Sequence, residues 1–223
     1  MIRAVAFDMD GLMFNTEDVY FQVGVRLMER RGGAYPKELC SSIMGCPPQA
    51  AFEAMIAWNQ LSDSWQELQK ESERTFFEIL DEYLQPMPGL FRLLDFLEEK
   101  RIPKAICTSS SRAVLEGVTQ RFDLLKRFYF TISANEITRG KPNPQIYEMA
   151  AEKFGIPTRE MLVLEDSCNG VLAGANAGAF VAATPAEHSK HMDFSRASIV
   201  LDTLEDPRLL DLLCKGRESH EVE

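Results

Sequence analysis

Ala4-Val5-Ala6-Phe7 is a wholly apolar run that ends in Asp8-Met9-Asp10-Gly11. Apolar residues without polar alternation describe a strand covered on both faces, as the strands of a parallel sheet are. In an open parallel sheet, ligands gather beyond the carboxyl ends of the strands. Two carboxylates at such an end cost free energy unless a cation or a substrate uses them. Their i, i+2 spacing lets Asp8 and Asp10 reach one small site. The run therefore constrains the chain to an α/β frame and marks one edge of its sheet.

From residue 15 to residue 86 no alternating or β-branched run occurs. Thr16 can cap a helix through Arg31, closed by Gly32-Gly33. Pro36 starts a short helix and Pro47-Pro48 open another. Ser62 or Asp63 starts a long one over 64–84, in which Trp65, Leu68, Phe76, Ile79, Leu80 and Tyr83 share a face. Pro86 and Pro88-Gly89 mark the exit. Residues 15–87 thus read as a helical insert between residues 1–14 and 88–223. After Leu90, helices (90–100, 112–121, 144–154, 169–176, 207–213) alternate with strands (104–107, 129–132, 161–164, 179–183, 199–201). Such alternation predicts a doubly wound, Rossmann-like parallel sheet with an inserted all-helical domain. The polar C-terminal tail is expected to be disordered.

A chain of 223 residues can bury a sizeable core. Its net charge of −10 argues against a nucleic-acid partner, which would call for basic patches. An anionic substrate would need a local positive site against that field. The five cysteines, Cys40, Cys46, Cys107, Cys168 and Cys214, form no CxxC and read as reduced thiols of a cytoplasmic protein. Asp8 and Asp10 interrupt any leader-like segment. The most apolar stretch, 171–183, is too short to span a bilayer, so no membrane partner is expected. Nothing in the pattern specifies an oligomeric state.

Polar residues cluster at four expected strand ends or loops. These are Asp8-Met9-Asp10-Gly11, Thr108-Ser109-Ser110-Ser111, Arg139-Gly140-Lys141-Pro142-Asn143-Pro144 and Glu165-Asp166-Ser167. Each alone has a plainer explanation: solvated strand-end acids, a helix N-cap tract, an ordinary loop lysine. Together, on one sheet edge, they supply carboxylates for a hard cation, one lysine, and hydroxyl and amide donors. That set suits Mg²⁺ and a phosphoryl group.

In this order the motifs resemble those of the haloacid dehalogenase superfamily. "GKPNPQIY" and "LVLEDSCNGVLAGANAGA" are similar to the β-phosphoglucomutase-like group, whose helical cap follows the first motif. The resemblance implies Asp8 as nucleophile forming an aspartyl-phosphate, and Asp10 as general acid and base offering its main-chain carbonyl to Mg²⁺. It implies that Thr108 and the Ser109 amide hold phosphoryl oxygens, and that Lys141 neutralises charge between them and Asp8. Asp166 would bind Mg²⁺ directly and Glu165 through a water. Ser110 and Arg112 could touch the leaving group.

Small differences divide the chemistry within that superfamily. Asp10 argues against the metal-independent dehalogenase branch. Mutases of the group carry a relay histidine where this chain has Tyr20, and an arginine after a cap glycine where it has Gly45-Cys46-Pro47-Pro48. Asn15 replaces a common aspartate. The expected activity is Mg²⁺-dependent hydrolysis of a small organic phosphate ester, with a phosphosugar mutase or a catalytically idle binding module as alternatives. Tyr20, Met44, Cys46, Gln49, Trp58 and Arg74 are candidate substrate contacts from the cap.

Overall fold

The computed structural model describes residues 1–43, 46–186 and 189–214. The chain divides into two compact units, Thr16–Leu84 and Met1–Asn15 with the chain from Gln85 onward.

The second of these is an α/β unit built on a parallel sheet ordered β3-β2-β1-β4-β5-β6. Its strands are β1 (Ala4–Phe7), β2 (Lys104–Cys107), β3 (Phe130–Ile132), β4 (Met161–Glu165), β5 (Phe180–Ala183) and β6 (Ile199–Val200). The order reverses at β1, which pairs with β2 on one side and β4 on the other. Crevices at such switch points are where open sheets bind ligands. Register fixes what meets there: Phe7 is level with Ile106 and with Leu164. One residue on, Asp8 therefore stands level with Cys107 and Glu165.

Burial explains the strands. Every residue of β1, β2 and β4 is buried. Ala6 and Val163 face a cluster with Ile146, Tyr147 and Ala150 of α7 (Gln145–Phe154) and Val171 of α8 (Cys168–Asn176). Strand alternation turns Phe7 to the other face, where it meets Phe128 edge-on at 5.8 Å. Each such buried side chain is worth about 1.5–3 kcal/mol. The helices α5 (Leu90–Glu99), α6 (Arg112–Gln120) and α9 (Pro207–Cys214) each bury a leucine-bearing face. Tyr129, expected in β3, lies outside it and is 73% exposed.

The helical unit comprises α1 (Thr16–Glu29), α2 (Lys37–Ile43), α3 (Pro48–Asn59) and α4 (Trp65–Tyr83). α1 stops two residues short of Arg31, where Gly32 at φ 69° turns the chain into the left-handed region. α4 starts after Ser64 rather than at Ser62 or Asp63, because Ser64 and Glu67 form a reciprocal capping box. Arg30 and Arg31, just past the end of α1, bind Glu71 of α4 at 2.8 and 2.7 Å, tying that end of α1 to α4. Met44 and Gly45 lie outside the described residues, as does the C-terminal tail from Lys215.

Candidate active site

Asp8 follows β1 directly, and its amide continues the ladder by donating to the Leu164 carbonyl at 3.0 Å. The chain then turns sharply: Gly11 donates from its amide to the Phe14 carbonyl at 2.8 Å and holds φ at 76°. A Cβ on Gly11 would lie 2.2 Å from Asp166 Oδ2, so glycine is what lets the β1 and β4 termini close on each other. Asp8, Glu165 and Asp166 are all buried, and each offers an oxygen within 4.8 Å of the other two.

Lys141 is the cation among these acids. It reaches the site from the loop before α7 rather than from a strand end. Its ammonium donates to Asp8 Oδ1, to Glu165 Oε1 at 2.6 Å and to the Cys107 carbonyl at 3.1 Å. An ammonium has three protons, so this set occupies all of them. Glu165 is fully buried, and Tyr147 donates its hydroxyl to the same Oε1 at 2.6 Å. Ser167 Oγ donates to Glu165 Oε2 at 3.1 Å. Gly170 makes room for this carboxyl, since a Cβ there would fall 1.8 Å from Glu165 Cδ.

Asp10 sits on the other side of Asp8. Its Oδ2 accepts from Thr108 Oγ1 and from Ser110 Oγ, each at 2.8 Å. Its Oδ1 is buried and has no hydrogen-bond partner among the described residues. Thr108 is fully buried and also accepts from the Ser110 amide at 2.9 Å, which folds the β2–α6 loop over the site. Ser109 is exposed on that loop, and Ser111 caps α6. Arg112 is engaged elsewhere: it binds Glu136 and donates to Thr131 Oγ1 at 2.6 Å. It braces the segment after β3 and makes no contact with the Asp8 group.

Burial sets the electrostatics. Desolvation pushes the Asp8 carboxyl well above the usual carboxylate range, against the lowering effect of Lys141. Burial also opposes the Lys141 charge, but Asp8 and Glu165 more than reverse it and raise its pKa. Asp8 and Glu165 thus share one ammonium, with the Asp166 carboxylate close beside them. A buried excess of negative charge favours a bound cation or retained protons. Oxygen-only donors of this kind fit a hard divalent ion such as Mg²⁺.

The sequence reading assigned no role to Tyr147, Ser167, Gly170 or the Cys107 carbonyl. Tyr147 reads from the sequence as one more apolar position on the inner face of α7. Only its i+6 distance from Lys141 hints at more. Asn15 has a clear local role: its Oδ1 accepts from the Gln85 amide at 2.7 Å, and its own amide donates to the Gln85 carbonyl at 3.1 Å. A side-chain amide oxygen thus clasps the two linker strands without a charge.

Within the helical unit, Tyr20 stacks on Phe76 with centroids 4.6 Å apart. Tyr20 and Cys46 both line a cavity of about 310 Å³ enclosed by residues of that unit. Gln49 donates to Glu53 at 2.8 Å, Trp58 is 54% exposed, and Arg74 pairs with Glu78 at 3.4 Å. These candidates do not form one cluster, and Met44 lies outside the described residues.

Residues 5–184 match the model of the haloacid dehalogenase-like hydrolases. The "Phosphorylated carbohydrates phosphatase" of Thermotoga maritima is 33% identical over 178 residues, covering 79% of this chain and 82% of that one. A Drosophila melanogaster protein described as "Probable pseudouridine-5'-phosphatase" is 35% identical over 206 residues, covering 90% and 89%. Among solved structures, a "putative beta-phosphoglucomutase" from Thermotoga maritima superimposes with a TM-score of 0.83 at 28% identity, covering 95% of this chain and 98% of that one. The chain belongs to the haloacid dehalogenase-like hydrolases and is an enzyme of their phosphatase type, with an α/β core and an inserted helical region.

Proposed function

We propose that the protein is a Mg²⁺-dependent phosphatase that hydrolyses a small sugar-type phosphate monoester through an aspartyl-phosphate on Asp8. The observation that carries this reading is the Asp8 carboxylate, buried at a sheet switch point, gripped by Lys141 and sharing its surroundings with Asp166. Two phosphoryl-transfer halves follow. An Asp8 oxygen attacks phosphorus, and the departing alcohol takes a proton from Asp10. Water then gives its proton to Asp10 and attacks the same phosphorus, which frees Asp8 and inorganic phosphate. Thr108 and Ser110 hold Asp10 by one oxygen, which leaves Oδ1 to carry the proton.

Asp8, Asp166 and the Asp10 carbonyl would hold the Mg²⁺, with Glu165 behind them. Bound there, the ion supplies positive charge that lets an anionic nucleophile approach an anionic ester. Lys141 adds a second positive charge, and the Ser109 amide would steady the phosphoryl oxygens, joined by the Thr108 hydroxyl when substrate draws its proton away from Asp10. The names of the two curated relatives favour a phosphate carried on a sugar. Five free cysteines support a cytoplasmic setting, no described helix is long and apolar enough to cross a membrane, and a charge of −10 argues against nucleic acid.

Hydrolysis is favoured over mutase chemistry because Tyr20, stacked on Phe76, offers no imidazole relay. A panel of sugar, nucleoside and glycolytic phosphates should release inorganic phosphate steadily, and chelation or Asp8→Asn should abolish it. Turnover that survives in Asp8→Asn would remove the proposed nucleophile. Label returned from a sugar bisphosphate to a monophosphate would identify a mutase. Absence of turnover across the panel would favour the idle binding module.

A further inference from the structure

We infer that Tyr147 is a positioning residue for catalysis, acting through Glu165 to aim the Lys141 ammonium at Asp8 and the phosphoryl group. The inference rests on the phosphatase reading but concerns a residue to which the motifs assign no role. Tyr147 is fully buried on α7, and its hydroxyl donates to Glu165 Oε1 at 2.6 Å. Lys141 donates to that same oxygen at 2.6 Å, and its ammonium lies 5.3 Å from the Tyr147 ring centroid.

The shared acceptor is the core of the argument. Lys141 is contested by two carboxylates, Asp8 in front and Glu165 behind. A lysine drawn fully to Glu165 would not serve the charge that builds up on phosphorus. A second donor on Glu165 Oε1 offsets part of that carboxylate's pull and leaves more of the ammonium for Asp8. Ser167 does the same for Oε2, at 3.1 Å. Burial and the neighbouring acids push the Tyr147 phenol upward, so it keeps its proton and remains a donor. The room left by Gly170 shows how closely the Glu165 carboxyl is seated. The orientation of Lys141 is thereby set by a hydroxyl one residue removed from any reacting atom.

Tyr147→Phe deletes this hydroxyl and keeps the ring. It should lower kcat about tenfold, in the range typical of outer-shell partners, with KM and Mg²⁺ affinity within about twofold of the parent. In a double-mutant cycle the same change should cost nothing further once Glu165→Gln is present, because its route to Lys141 is already cut. A purely structural role would instead lower the melting temperature and give additive losses. Independently of turnover, the ¹⁵N-detected ammonium signal of Lys141, assigned by its disappearance in Lys141→Arg, should shift or broaden in Tyr147→Phe.

Parental kcat in Tyr147→Phe with an unmoved ammonium signal would overturn the positioning role while leaving the phosphatase reading intact. Additive losses in the cycle would overturn it as well. If the parent protein itself shows no turnover, the phosphatase reading falls, and the ammonium signal alone decides whether Tyr147 orients Lys141.

Discussion

Cys107 shows how one residue can sit beside the candidate active site and offer it only a backbone carbonyl. Its carbonyl accepts from Lys141, while its thiol is pushed up to about 12 by burial first, with Asp8 and Glu165 adding to it and Lys141 opposing. A thiol with that pKa is almost wholly protonated at neutral pH and is a poor nucleophile. Iodoacetamide at mildly alkaline pH should therefore modify the exposed Cys46 and Cys214 in the native protein and spare Cys107 until denaturant is added, as peptide mass spectrometry would show. Gly11 makes the complementary point. Gly11→Ala places a methyl 2.2 Å from Asp166 Oδ2 at a backbone φ of 76°. It should displace the carboxylate, weaken Mg²⁺ binding measured calorimetrically and lower the melting temperature. Both roles are invisible in the sequence, since a strand-end cysteine and a turn glycine read as ordinary.

At the scale of elements, short-range signals located the helices and long-range contacts trimmed them. Ser62, Asp63 and Ser64 are all good N-cap residues, and the sequence reading favoured the earlier two. Only Ser64 has a glutamate three residues on, and the structure uses that pair. Ser64→Ala should therefore cost about 1 kcal/mol in urea unfolding, whereas Ser62→Ala should cost little. β3 was read one residue too long because Tyr129 looks like a strand residue, yet it is 73% exposed and only leans on Phe154 and Phe130. Another tie joins three elements: Glu98 at the end of α5 binds Arg127 before β3 and Lys104 at the start of β2. Hydrogen bonding from Arg127 foremost, then from Lys104, lowers the Glu98 carboxyl from 4.5 to about 2. A carboxyl depressed on folding stabilises above its unfolded pKa and loses that contribution as pH falls through its folded one. Melting temperatures should thus drop between pH 4.5 and about 2, and Glu98→Gln should flatten that part of the profile.

For the molecule as a whole, the proposed metal site should be visible in stability. A ligand that binds only the folded state stabilises it by an amount set by its concentration over its Kd, about 2.7 kcal/mol at a hundredfold excess. Mg²⁺ should raise the melting temperature of a protein whose net charge is −10 and whose buried Asp8, Glu165 and Asp166 crowd one small site. Asp166→Asn should abolish that shift. The sequence by itself determined the α/β alternation, the helical insert and which polar residues stand at or near the strand ends, because periodicity and strand endings are local properties. What the tertiary structure decided is which of them share partners. Strand order placed Asp8 level with Cys107 and Glu165, α7 brought Tyr147 under Lys141, and Arg112 was drawn away to Glu136. The physical reason is that a hydrogen bond or an ion pair is fixed by distance in space. Sequence separation carries no record of that distance until the sheet has paired.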